Sequence, residues 1–167
     1  MLSIQDLMLA QDVKRWVIVR TAKDQSLAEH TFNVVMISRA ICKELGVRDD
    51  KVIKYALDHD LDEILTGDIP TPAKDRLGIN TAYDGKSFEE CNGEEKSIVA
   101  LADIIEAMHF LNENQIGRHA QTVTTYLLER YQTRCNLLNA TQPKLIKAAN
   151  QVVTYLLDGE FECEKSE

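Results

Sequence analysis

The chain has 167 residues, 44% hydrophobic and 28% charged, a balance that excludes disordered and collagen-like classes. Its 19 basic and 27 acidic side chains give a formal net charge of −8, which speaks against a nucleic-acid partner. No run of about 18 apolar residues is present, so no membrane partner is expected. The first 16 residues, interrupted by Asp6 and Asp12, lack the basic region of a secretory signal. Cys42, Cys91, Cys135 and Cys163 form no CxxC pair and read as reduced thiols of a cytoplasmic protein. The length suits one domain over residues 1–167, able to bury roughly 70% of its unfolded surface.

Residues 4 to about 13 predict a short amphipathic helix, followed by a break around 20–25. Ser26 and Glu29 form a capping-box pattern, and the helix they open should run to about Leu45 and stop at Gly46. Val34, Ile37, Ile41 and Leu45 keep the helical spacing, with His30 on the same inward face. Asp49 or Asp50 can cap the next helix, expected from Lys51 to about Leu65. About 25 residues of poor pattern follow, from Gly67 to Gly93, a length that points to function or disorder. Helix resumes over residues 94 to about 112, packed through Ile98, Leu101, Ile104, Ile105 and Met108. Two more helices are expected near 116–136 and 143–157, the second opened by Pro143. The acidic tail, 160–167, should fray. No strand is predicted, so the fold class is an all-α bundle.

The chemistry gathers in three places. Asp60 falls on the stripe of Ile53, Leu57 and Ile64, and His59 aligns with Val52, Ala56 and Glu63. A His-Asp pair against apolar positions is costly unless something satisfies it, and a metal ion does so. His30 projects from another apolar face, and Asp103 from a third, inside Ile98–Ile105. Two imidazoles and two carboxylates make an N₂O₂ set suited to Zn, Mn, Co or Fe(II). Glu63, one helical turn after His59, can reach a water at such a site. Asp68 can brace the Gly-Asp-Ile-Pro turn or act chemically, and Lys74 follows a stiff Pro-Thr-Pro stretch that can present it to phosphate. Lys96 lies two turns before Asp103 on the same face and can meet a phosphate or only solvent. His109 and His119 fall outside the pattern.

These residues carry a family resemblance. The stretches are Arg15-Trp16, Ala28-Glu29-His30, the block from His59 to Lys74, and Glu94 to Asp103, spanning residues 15–103. They resemble the HD-domain phosphohydrolase superfamily, and within it the bacterial 5′-deoxynucleotidases and the shorter phage dATP triphosphohydrolases (the DatZ-like group). The resemblance implies a single-domain helical bundle of the HD-domain type, with His30, His59, Asp60 and Asp103 as metal ligands. It also implies Glu63 and Asp68 as acid/base and water-orienting carboxylates. Arg15 and Trp16 look like the family's substrate-facing pair, and Ile18 could line the base pocket beside them. The related nucleotidases often have a basic residue three positions before the last Asp, where this chain has Ala100. That departure leaves one phosphate contact unassigned.

The short spacing from Asp60 to Asp103 resembles the phage enzymes. The expected reaction is metal-assisted hydrolysis of purine 2′-deoxynucleotides, dATP yielding deoxyadenosine and triphosphate through attack at the α-phosphorus. The expected cofactor is Zn, Co or Mn, with additional Mg on the phosphate chain. The alternative is a 5′-deoxynucleotidase acting on monophosphates, and a further alternative is a non-catalytic HD-type regulatory module. The resemblance also implies a homo-oligomer, in the host cytoplasm if the chain is phage-encoded.

Overall fold

The computed structural model describes residues 2–78 and 86–158. Among these are nine α-helices: α1 (Ile4–Met8), α2 (Leu27–Leu45), α3 (Asp50–Asp58), α4 (Glu63–Thr66), α5 (Thr71–Leu77), α6 (Lys86–Glu90), α7 (Gly93–Asn114), α8 (Gly117–Asn139) and α9 (Pro143–Asp158). The described residues contain no strand, only two isolated β-bridges. The all-α expectation holds. The acidic tail and Cys163 lie outside the described residues.

Local signals set the long helices. Ser26 Oγ accepts the Glu29 amide at 3.2 Å while Glu29 Oε2 accepts the Ser26 amide at 2.8 Å, closing the capping box of α2. Such a cap stabilises a helix start by about 1 kcal/mol. Gly46, at φ 68°, ends α2 in the left-handed conformation that favours glycine. Asn92 and Glu95 make the same reciprocal pair at the start of α7.

Helix α2 crosses the middle of the bundle and packs on α3, α7 and α9, while α8 closes over α7. Val34, Ile41, Ile98, Leu101, Ile105 and Leu145 are wholly buried in one core. Each contributes about 1.5–3 kcal/mol relative to an exposed position. The interior is therefore a stiff apolar frame around the inner faces of α2 and α7, where His30 and Asp103 sit.

The helix expected over residues 51–65 is broken. It stops at Asp58, and tight turns carry the chain through 59–62 into α4, with Leu61 N bonded to Asp58 O and Glu63 N to Asp60 O. Asp and His are weak helix formers, and Asp competes for backbone hydrogen bonds. Val52 and Ala56, not Ile53 and Leu57, are the fully buried face of α3, and Leu57 is exposed. The stretch after Gly67 is not structureless either, since α5 and α6 form within it. The first helix is shorter than expected, ending at Met8 and passing into a 3₁₀ turn at Leu9–Gln11.

Candidate metal centre

Four segments converge on one point. Helix α2 brings His30, the turn after α3 brings His59 and Asp60, α7 brings Asp103, and the segment before α2 brings Arg15. That segment is stitched down at both ends. Arg15 N donates to Gln25 O and Leu27 N to Val13 O; further on, Ala22 N donates to Asn114 O and Ile116 N to Arg20 O. These bonds tie residues 13–26 to the start of α2 and the end of α7.

His30, His59 and Asp60 each offer a ligand atom, all within 4.8 Å of one another. Asp60 Oδ2 lies 3.5 Å from His30 Nε2 and 3.3 Å from His59 Nε2. Asp103 stands outside this trio, with its Oδ1 3.4 Å from His30 Nε2. Ligands about 2.0–2.1 Å from a tetrahedral ion stand about 3.3–3.4 Å apart, so these edges match that size. Nε2 of both histidines is buried and has no hydrogen-bond partner of good geometry among the described protein atoms. Buried nitrogens left this way point to a ligand that completes them. The residues fit a divalent ion.

The remaining ring nitrogens are anchored. His30 Nδ1 lies 2.6 Å from Glu106 Oε2, and His59 Nδ1 lies 2.7 Å from Ala56 O. Glu106 is itself held, its Oε1 accepting from Gln25 Nε2 at 2.6 Å and from Asn33 Nδ2 at 3.2 Å. Gln25 Oε1 in turn accepts from Trp16 Nε1 at 2.8 Å. A hydrogen-bonded chain thus runs from Trp16 through Gln25 and Glu106 to His30. The sequence reading missed Glu106, Gln25 and Asn33. The available signal was a second acid, three residues after Asp103, inside the same apolar run.

The electrostatics are lopsided toward negative charge. Burial and the Arg15 guanidinium press the His30 imidazole down, but Asp103, Asp60 and Glu106 outweigh them and raise it to about 10. Asp60 is held well below the usual carboxylate range despite its burial, by His59, His30 and Arg15. Glu63, only 5% exposed, is pushed up to about 7 by burial and then by Asp60, with Lys74 opposing. Lys74 Nζ donates to Glu63 Oε1 at 2.9 Å. Arg15 Nη1 donates to Asp60 Oδ2 at 3.3 Å and sits 3.9 Å from Glu63 Oε2.

Other expected site residues are placed as follows. Asp68 Oδ2 accepts the backbone amide of Trp16 at 3.2 Å. Trp16 has φ 62°, a left-handed conformation that strains a non-glycine residue by roughly 1–3 kcal/mol. Its ring stacks on Phe110 at 5.8 Å, nearly parallel. Ile18 is exposed. Lys96 lies away from the cluster in its contacts, its Nζ 3.8 Å from the centre of the Phe88 ring. His119 is exposed and His109 half-buried, with no part in the cluster.

The family described as HD domain matches residues 9–164. The chain belongs to the HD-domain family. It is 36% identical to a protein of Salmonella phage PMBT28 named dATP triphosphohydrolase, over 79% of this chain and 77% of the relative. It is 33% identical to the dATP triphosphohydrolase of cyanophage S-2L, over 75% and 78%. A 5′-deoxynucleotidase of Klebsiella pneumoniae is 27% identical, over 69% and 64%. Among solved structures, this HD domain is similar to the cyanophage S-2L HD phosphohydrolase (DatZ) bound to dA and one catalytic Zn²⁺ ion. The TM-score is 0.82 at 26% identity, covering 95% of this chain and 98% of that one. No helix among the described residues is long and apolar enough to cross a membrane.

Proposed function

We propose that this HD domain is a metal-dependent phosphohydrolase of purine 2′-deoxynucleotides, acting on dATP to give deoxyadenosine and triphosphate. The observation that carries the reading is the pair of orphaned, buried imidazole nitrogens facing Asp60. They occur in a chain similar to named phage dATP triphosphohydrolases. His30, His59, Asp60 and Asp103 would hold a zinc, cobalt or manganese ion, with magnesium on the phosphate chain. A divalent ion held there supplies Lewis acidity toward a phosphate oxygen and makes a bound water more acidic.

The protein's own residues supply the rest. Glu63 carries or releases a proton near neutral pH, because burial and Asp60 lift its carboxyl into that range. Lys74 fixes the Glu63 side chain and counters its charge. Arg15, between Asp60 and Glu63, faces the centre with a guanidinium suited to a phosphoryl oxygen. Asp68 holds the strained Trp16 backbone, and so places Arg15 and Trp16 together at the substrate. Ile18, two residues on and exposed, would border the base without offering a hydrogen bond. Lys96 joins the phosphate only if its side chain leaves the Phe88 ring. The whole chain works as one domain, 1–167, in a homo-oligomer and in the cytoplasm.

A monophosphatase reading is kept by the similarity to 5′-deoxynucleotidases. Product analysis separates the two. The purified chain, loaded in turn with Zn²⁺, Co²⁺, Mn²⁺ and Mg²⁺, is given dATP, dGTP, the 2-aminoadenine nucleotide and dAMP. Deoxyadenosine with intact triphosphate from dATP supports the reading. Turnover of dAMP alone would replace it with the nucleotidase, and no turnover with any metal would leave a non-catalytic module. If the bound base closes over Ile18, a 2-amino group buried there unpaired costs about 1–3 kcal/mol, so dATP should exceed dGTP by roughly 5- to 150-fold.

A further inference from the structure

A second cavity-bound feature lies beside the metal centre, on the face of α7 turned toward α8. A cavity of about 430 Å³ opens there, lined by Ala100, Asp103 and Ile104 from α7 and by Tyr126, Arg130 and Arg134, among others, from α8. Its volume falls in the range of small-molecule sites, about 300–1,000 Å³. Asp103 belongs to both places: it lines the cavity, and its Oδ1 sits 3.4 Å from His30 Nε2. The cavity and the metal centre are therefore continuous through one side chain.

The charges in it are unusual for a chain of net charge −8. Two guanidinium groups, Arg130 and Arg134, stand one helical turn apart on α8. Among the described residues neither makes an ion pair or a hydrogen bond, although Glu129 also lines the wall. Nε of Arg134 is buried and has no hydrogen-bond partner. Arg134 also lies within electrostatic reach of Tyr55, which feels Asp60 and Asp103 as well. A buried Nε donor on an arginine beside an open cavity suits an oxyanion acceptor. Ala100 contributes only a methyl group to the wall, which leaves the space between Asp103 and the two arginines open.

We infer that Arg130 and Arg134 form a cradle for a linear polyphosphate, the part of the substrate beyond the phosphate at the metal centre. This rests on the triphosphohydrolase reading and gives it a site for the leaving triphosphate. Guanidinium forks match phosphate oxygens in pairs, and Thr133 adds a hydroxyl donor on the same wall. Such a cradle favours long phosphate chains, since it engages the phosphates beyond the one at the metal centre.

The test reads binding separately from catalysis. Inorganic tripolyphosphate and orthophosphate are titrated by calorimetry into the zinc-loaded full chain, with excess magnesium to limit chelation. Arg134→Met and, at an exposed position, Arg130→Met should each weaken tripolyphosphate at least tenfold more than orthophosphate. Arg134→Lys should recover part of the loss. In steady-state assays the KM for dATP should rise at least tenfold more than the KM for dAMP, with kcat changed less. Unchanged tripolyphosphate affinity in both Met variants overturns the cradle, as does an equal rise in KM for dATP and dAMP. If wild type binds tripolyphosphate in an arginine-dependent way but does not hydrolyse dATP, the triphosphohydrolase reading fails and the cradle stands.

Discussion

Glu106 Oε2 lies 2.6 Å from His30 Nδ1, and both side chains are shut away from solvent. An anionic Glu106 keeps a proton on Nδ1, so a divalent ion beside Asp60 and Asp103 would displace only the Nε2 proton and take that lone pair. Replacing Glu106 with Gln keeps the shape and removes the charge. Losses of this kind typically weaken metal affinity by about 10- to 100-fold. Competition against a chelator measures it, with circular dichroism to show that the helices persist. An affinity equal to wild type would reduce Glu106 to a packing residue. Glu106→Ala should be worse, because Gln25 and Asn33 also lose their acceptor.

Asp103→Ala should lose the metal and the activity while the bundle remains folded. Its side chain is 30% exposed, and Asp103 is not among the buried core residues. Elemental analysis after dialysis, together with a thermal melt, decides the matter. Full metal content with normal turnover would mean that His30, His59 and Asp60 suffice.

Glu63→Gln should retain the metal and lose at least about 10²-fold in turnover, the usual scale for an acid/base group. The pH profile gives a second reading. Glu63 is raised to about 7, by burial first, and Lys74 is the group that opposes the rise. Lys74→Met removes that opposition, so the kcat/KM inflection belonging to Glu63 should move to higher pH. The sign is the same whether the carboxylate or the carboxylic acid is the active form. An inflection that stays in place would assign it to another group.

Asp68→Ala tests placement against chemistry. Asp68 accepts the Trp16 amide, and Trp16 holds a left-handed backbone that needs outside support. Loosening it should displace Arg15 and Trp16 together and raise KM more than it lowers kcat. A collapse of kcat at constant KM would instead put Asp68 at the reacting atoms.

The residue types of the site were legible in the chain because chemistry and burial conflict there. His30 and Asp103 interrupt apolar helical stripes, and that interruption can be read without coordinates. Glu106 interrupts the same run and was passed over. It hides on α7 beside Asp103, and its partners His30 and Gln25 lie 76 and 81 residues away. Lys96 differs: helical spacing puts it two turns from Asp103, while its Nζ stands over the Phe88 ring.

The sequence alone determined the all-α class, the long helices α2, α7, α8 and α9, the cap and stop of α2, and Pro143 at the start of α9. Those follow from local signals: a side-chain oxygen three residues from an amide, a glycine at a left-handed stop, an apolar residue every three or four positions. Only the tertiary structure decided how His59 and Asp60 share one centre. Consecutive side chains on a helix diverge by about 100°, and the turn over residues 59–62 lifts that restriction. Likewise the left-handed Trp16, the Glu106 anchor and the arginine cavity on α8 each depend on groups distant in the chain. Their free energies come from burial and long-range hydrogen bonds, which no local pattern encodes.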